Sequence, residues 1–278
     1  MKDKKLFASL MLLFATLSWG FAYPIQTMSA SLLGSYTIVF FKGIGGLLLL
    51  FVIIKRQLKI SKDVLIKGLL IGSVSFVGCI LQQRGMELST VSKASFITAL
   101  YIVIVPIIEL FLGKKVARKI WYAIAIALLG LYLLCFSSSF VLQIGDALLL
   151  MCSIMFAIQI ILIDRFTKKH DPLLINFVSQ ITVALLSSII MIFYEKPSMI
   201  LLKQAIYPIL YITLLAGVLA TTIQAKYQKV LGSSLSSLIM SLESVFGAIG
   251  GWLILNQTLS VSEIIGCILL FISILLAE

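Results

Sequence analysis

A single carboxylate, Glu243, interrupts SLESVFGAIGGWLIL, Ser241 to Leu255, a run that otherwise reads as hydrocarbon-buried helix. A charge at the bilayer centre costs about 2.5–3.5 kcal/mol on insertion scales, and a glutamate is too short to reach the interface from mid-span. Such a carboxyl faces a polar cavity or carries a proton. Glu243 is therefore a candidate for proton coupling or for pairing with a substrate amine, and the alternative is a structural hydrogen bond to a serine or to Lys42. Ser236, Met240, Gly247 and Gly251 share its helical face, and the two glycines make a small-xxx-small pair suited to close helix approach.

A second stripe begins the chain. Thr16, Trp19, Tyr23 and Gln26 recur at three- or four-residue intervals and so share one face, which reads as a cavity wall. Tyr23 alone could instead be an interfacial aromatic. Tyr101, with Thr98 one turn before it, combines a ring with a hydroxyl that needs a partner. Gln82 and Gln83 near the end of one apolar segment, Gln224 near the end of another and Gln159 inside a third are amides that need partners when buried. The terminal ones suit gates and helix caps equally well. The expected substrate-binding set is Trp19, Tyr23, Gln82, Tyr101, Gln159, Gln224 and Glu243. Lys42 reads as a stem that snorkels outward from its helix, and Glu109 as an interfacial partner of Lys114 and Lys115.

The elements that must position these residues follow from composition. The 278 residues are 61% hydrophobic and 12% charged, with a mean hydropathy of +1.15, which is an integral membrane composition. Ten continuously apolar stretches, each near the roughly 20 residues that span hydrocarbon, predict helices over 6–28, 36–54, 64–84, 92–112, 118–136, 145–164, 172–194, 205–225, 234–255 and 262–277. None shows the alternation of an outer-membrane strand. The first reads as a retained helix rather than a cleaved signal ending near Ser29, Ala30 and Ser31. Pro106 predicts a kink in the fourth helix.

Seventeen of the 22 Lys and Arg residues fall at one set of loops, which predicts both termini on the cytoplasmic side of the cytoplasmic membrane. The net charge of +11 is then explained by insertion and by membrane lipid, with no nucleic acid. Cys79, Cys135, Cys152 and Cys267 lack ligand spacing and read as packing residues, without disulfide, metal or other cofactor. His170 reads as a solvated loop residue. No phosphate-binding loop is present to suggest ATP drive.

The chain also resembles itself. A shift of about 143 lays ASFITALYIVIVPIIELFL over SSLIMSLESVFGAIGGWLI, and one of about 137 lays LSWGFA over IMFAIQ and VFFKGIGG over FVSQITVA. Helices 1–5 thus repeat as helices 6–10, over 1–138 and 139–278. Five is odd, so the halves are inverted in the membrane, the construction of many secondary transporters with a midplane site between the repeats.

The stretches Leu81 to Glu109 and Tyr227 to Ser260, together with Trp19-Gly20, resemble the EamA-type permeases of the drug/metabolite transporter superfamily. The resemblance implies ten helices in two inverted halves and export of small metabolites. Two departures stand out. Leu242-Glu243-Ser244 replaces the usual Leu-Glu-Pro, which predicts a straighter ninth helix, and Asn256 and Gln257 stand where family members carry an acid. The leading expectation is an exporter of an amino acid, amine or drug-like metabolite working by alternating access, as a monomer or a homodimer. The competing expectation, an intramembrane enzyme or a structural membrane partner, is weakened by the single histidine and the absence of paired intramembrane acids.

Overall fold

The computed structural model describes residues 2–29, 32–55, 59–89, 91–135 and 143–278. Ala30, Ser31, Arg56 and the expected boundary at 138/139 lie outside the described residues, and of Lys2, Lys93 and Cys135 only the backbone is described. The described chain is helical throughout. In order it comprises α1 (Lys2–Ser29), α2 (Ser35–Ile54), α3 (Lys62–Glu87), α4 (Val91–Ala99), α5 (Tyr101–Phe111), α6 (Arg118–Cys135), α7 (Ile144–Thr167) and α8 (Pro172–Ile190). Then follow α9 (Met199–Gln204), α10 (Ile206–Tyr211), α11 (Ala220–Leu231), α12 (Ser233–Met240), α13 (Glu243–Leu255) and α14 (Val261–Ala277). Two π-helical stretches, Met191–Glu195 after α8 and Ile212–Leu219 between α10 and α11, continue their helices without a break.

Eight of these units are long and apolar enough to cross a membrane: α1, α2, α3, α4 with α5, α7, α8 with its π-turn, α10 through α11, and α12 with α13. Local chemistry sets their ends. Ser61 caps α3 by accepting from Val64 N, Asp171 followed by Pro172 starts α8, and Ser260 with Glu263 forms a capping box on α14. Gly232, at φ +83°, stops α11 where a side chain would be strained.

Helices α6 and α14 pack on each other through glycines. A Cβ on Gly130 would stand 2.8 Å from the Gly266 carbonyl oxygen. The largest apolar core, built around Ile102, Leu131, Leu238, Leu242 and Leu270, joins this pair to α5, α12 and α13.

Three expectations about the helices are corrected. The ninth expected helix is broken between α12 and α13, although it lacks the family proline. Ser241 Oγ donates back to the Leu238 carbonyl at 2.7 Å, and i→i+3 bonds from Leu242 N to Ile239 O and from Ser244 N to Ser241 O interrupt the ladder. The fourth is broken too, at Leu100, ahead of Pro106 rather than at it, by Leu100 N to Ile97 O and Val103 N to Leu100 O. Finally, α3 runs to Glu87 and α11 to Leu231, so Gln82, Gln83 and Gln224 lie inside helices rather than at their ends. The polar tail of α11 stays helical because Gln224 donates to Gln228 and Gln228 donates to the Ile160 carbonyl on α7.

Candidate functional site

Glycines help to draw the eight membrane-spanning units together around a central space. On α2, a Cβ on Gly43 would meet Ala184 N on α8 at 2.7 Å, and one on Gly45 would meet Thr213 O of the π-helical stretch at 3.1 Å. From the other side, a Cβ on Gly217 would meet the Lys42 carbonyl oxygen at 2.5 Å. The α2 backbone is thereby wedged between α8 and the π stretch, and Lys42 is carried into the interior. On α1 it is Gly20 that admits α13, since its Cβ would meet the Glu243 carbonyl oxygen at 2.8 Å. Gly247 lies on that seam, a Cβ there standing 3.6 Å from the Gly20 carbonyl oxygen and from the Tyr23 ring, whereas Gly251 is filled by Gln257 of its own loop, so one of the two expected glycines packs on α1.

The space between these helices is a cavity whose free volume, open mouth included, is about 1060 Å³. All seven expected residues, Trp19, Tyr23, Gln82, Tyr101, Gln159, Gln224 and Glu243, line it. Tyr23 is 3% exposed and is therefore no interfacial aromatic. Its hydroxyl accepts from Gln82 Nε2 at 3.1 Å, and Gln83 Nε2 donates to Gln26 Oε1 at 2.9 Å, tying α3 to α1. Gln159 Nε2 donates to Ser75 Oγ at 3.0 Å.

The centre of the site lies where the two broken helices meet. Leu100 and Leu242 precede α5 and α13 with nearly the same backbone, φ −60° and ψ −10° against φ −62° and ψ −8°. The next residue in each case is Tyr101 or Glu243, and the Tyr101 hydroxyl donates to Glu243 Oε1 at 3.1 Å. The partner of the buried acid is thus a tyrosine, neither a serine nor Lys42. Ser244 Oγ donates to the Ser95 carbonyl at 3.3 Å and ties α13 to α4 beside the breaks.

The π stretch contributes backbone. Its i→i+5 pattern leaves carbonyl valences free, and the cavity side chains use them. Trp19 Nε1 donates to Ala216 O at 2.9 Å, and Gln180 Nε2 donates to Gly217 O at 3.1 Å and to Thr221 Oγ1 at 2.8 Å.

Several cavity residues escaped the sequence reading. Lys42 does not snorkel outward: it lines the cavity with its Nζ 3.7 Å from Cys79 Sγ. Cys79 is likewise a wall residue rather than plain packing, while Cys152 is buried and Cys267 half-buried. Phe156, Asn176 and Gln180 also line the cavity. The signal for two of these was present, because the self-overlay sets Phe156 under Trp19 and Gln180 under Lys42.

Polar clusters hold the two ends of the bundle. At one end Glu195 binds the start of α2, accepting from Tyr36 N, Thr37 N and Thr37 Oγ1 at 2.7–2.8 Å, as a carboxylate at a helix N-terminus should. Ser35 Oγ donates to Glu87 Oε1 at 2.5 Å beside it. At the other end Lys114 bridges Glu109 at 2.9 Å and Asp164 at 3.4 Å, Lys168 pairs with Asp164 at 2.8 Å, and Ser234 Oγ donates to Glu109. Glu109 is paired with Lys114 as expected, and is itself buried at 7% exposure. Burial pulls the Lys114 ammonium down in pKa, but the bond to Glu109 and the charges of Glu109 and Asp164 hold it above its usual 10.5. His170 is also not a free loop residue, since its Nε2 stands 2.9 Å from Asp63 Oδ2 with the side chain 19% exposed.

Comparison with known proteins agrees with this architecture. The EamA-like transporter family matches residues 6–136 and 143–277. A protein of Archaeoglobus fulgidus described as an uncharacterized transporter is 27% identical over 279 residues, covering 99% of this chain and 87% of that one. A protein known from a crystal structure superposes with a TM-score of 0.79 at 16% identity, over 98% of this chain and 96% of that chain, which is a likeness of fold.

Proposed function

This chain belongs to the EamA-like transporter family, and from that premise we propose that it is a secondary transporter exporting a small organic metabolite across the cytoplasmic membrane. The cargo is an amino acid, an amine or a drug-like molecule, moved by alternating access and not altered by catalysis. Trp19, Tyr23 and Tyr101 form the aromatic wall, Gln82, Gln159 and Gln224 orient polar groups, and Glu243 is the group for proton coupling or for a substrate amine.

The observation that carries this reading is the polar and aromatic cavity enclosed by apolar helices, with the Tyr101–Glu243 bond at the junction of two broken helices. Discontinuous helices meeting near the midplane are a recurrent way of building a transporter site. With α6 and α14 counted as crossings, the passes number ten, in halves 1–138 and 139–278. Two features support inverted halves. The family match falls in two consecutive segments. The packing also repeats under exchange of the halves, α1 lying on α11 and α13 much as α7 lies on α3 and α5. The Lys and Arg distribution supports cytoplasmic termini. The end clusters then become alternating gates, the Lys114–Asp164 pair parting toward the cytoplasm and the Glu195–α2 contact parting on the far side.

The test is efflux from vesicles containing the purified protein, loaded in turn with amino acids and amines, with and without a pH gradient. At least one cargo is expected to leave saturably and chemically unchanged. Glu243→Gln is expected to remove the response to pH. A chemically altered cargo would overturn transport as the function, and an unchanged pH response would make Glu243 structural.

A further inference from the structure

Among the described residues the cavity wall holds one basic side chain, Lys42, and no carboxylate within ion-pair reach of it; Glu243 acts on it only as a charge across the cavity. Lys42 Nζ approaches Cys79 Sγ at 3.7 Å, a weak acceptor, and no carboxylate among the described residues forms an ion pair with it. Glu243 lines the same cavity from α13, but its hydrogen bond goes to Tyr101. The position is enforced: Gly43 and Gly45 press α2 onto α8 and the π stretch, and Gly217 lies against the Lys42 carbonyl, so the stem starts at the protein centre and not at a lipid face. An ionisable group inside a membrane protein is costly unless it is paired or wetted, and one whose only opposite charge lies across a binding cavity is suited to take a contacting partner from the ligand.

The geometry points to Lys42 as the residue that selects the cargo's charge: it takes a carboxylate, Glu243 takes the cationic end, and the cargo is a zwitterion. This rests on the transporter reading above and narrows it. A single lysine with no arginine in the wall matches a monoanion and leaves a phosphate dianion under-neutralised. A purely cationic amine would face the ammonium of Lys42 with nothing between them but the cavity. The amides around the site, Gln82, Gln159, Gln180 and Gln224, carry no charge and leave this polarity to the two ionisable groups.

The first measurement needs no cargo. Cys79 is a cavity thiol beside Lys42, so its modification by anionic and by cationic methanethiosulfonates, followed by peptide mass in the intact protein, reads the local potential. The anionic reagent is expected to react faster by about tenfold, the size of a unit charge acting at several ångströms in a medium between protein and water. Lys42→Gln should cancel that ratio, and because it is a ratio for one thiol, a changed thiol reactivity or a partly misfolded fraction drops out. A ratio unaffected by Lys42→Gln overturns the inference.

The second measurement is thermal stabilisation by matched sets: phenylalanine, leucine and threonine, each with its amide and its decarboxylated amine, at fixed pH and salt. At least one free amino acid is expected to bind about tenfold or more tightly than its amide, a preference lost in Lys42→Gln and partly kept in Lys42→Arg. Equal binding of acid and amide across all three sets, or a preference indifferent to Lys42, overturns the inference. Vesicle flux separates the two readings. A Lys42-dependent preference without flux leaves the anion site and removes transport, whereas flux of amines and amides indifferent to Lys42 leaves transport and removes the anion site.

Discussion

The two halves of the chain place overlaid positions on the same cavity and fill them with different chemistry. The overlay sets Trp19 over Phe156, Lys42 over Gln180 and Tyr101 over Glu243, and all six side chains line the space. The helix break recurs as well, at Leu100 and at Leu242, within a few degrees in φ and ψ. Backbone is repeated and charge is not: the cation sits on one half and the acid on the other. A repeated backbone gives two openings of similar energy, which alternating access needs, while an unrepeated charge pattern gives a bound molecule one orientation. Breaking either should fail differently.

The backbone side is the more fragile. Gly20 has no room for any side chain against α13, whereas Ala157, set under it by the overlay, is fully buried and already carries a Cβ. Gly20→Val is expected to cost about 3 kcal/mol or more, beyond the usual overpacking range, because the obstacle is backbone. Thermal unfolding of the detergent-purified protein should show little folded material. A Tm within a few degrees of wild type would mean that α1 and α13 are not held at this spacing.

On the chemical side, altering the unlike residues should leave folding largely intact and weaken function. Glu243→Gln retains shape and is expected to lower pH-driven flux by at least tenfold, about 1.4 kcal/mol in activation terms. Tyr101→Phe, which removes only the hydroxyl bonded to Glu243 and leaves the ionisable carboxyl in place, should lose less, in keeping with the roughly 1 kcal/mol net worth of an ordinary hydrogen bond. Equal losses in both variants would show the pair acting as one unit. Exchanging Lys42 and Gln180 together keeps the charge count and moves the cation across the cavity. Binding is expected to fall as far as in Lys42→Gln alone, and full retention would mean that net charge matters and orientation does not.

Most of the fold was legible because a spanning helix writes itself in twenty apolar residues, and the stripe Thr16, Trp19, Tyr23, Gln26 announced its own face. Lys42 was misread because a lysine stem can snorkel, and only the glycines around it, which act through tertiary contact with Ala184 and Thr213, decide that it cannot. The broken ninth helix was hidden for a similar reason. The expectation looked for a proline, and the break is made by a serine hydroxyl bonding back to Leu238, a contact with no strong local signature.

A smaller effect tests the end clusters. Lys114→Met removes the bridge from Glu109 to Asp164, leaving Lys168 on Asp164, and is expected to lower stability by no more than about 1 kcal/mol because the Lys114 side chain is 44% exposed. The ammonium is favoured in the folded state, so its contribution is fully present below the unfolded value of 10.5 and is lost as pH rises through the higher folded value. The difference in Tm between wild type and variant should hold from neutral pH to about 10 and then shrink. A difference that stays constant through that pH would assign the loss to packing of the lysine stem.

The smallest expected change separates break from sequence. Ser241→Ala deletes the back-bond to Leu238 and leaves every apolar contact of α12 and α13 in place, so stability should move by less than about 1 kcal/mol in either direction. If the hydroxyl makes the break, the helix gains ladder hydrogen bonds, Glu243 turns relative to Tyr101, and flux falls while Tm holds or rises. If flux and Tm both stay unchanged, the break is held by its surroundings, by Ser244 on the Ser95 carbonyl and by Gly20 against the Glu243 backbone. That outcome would make the second break resemble the first, where no serine stands beside Leu100 and the i→i+3 bonds form without one.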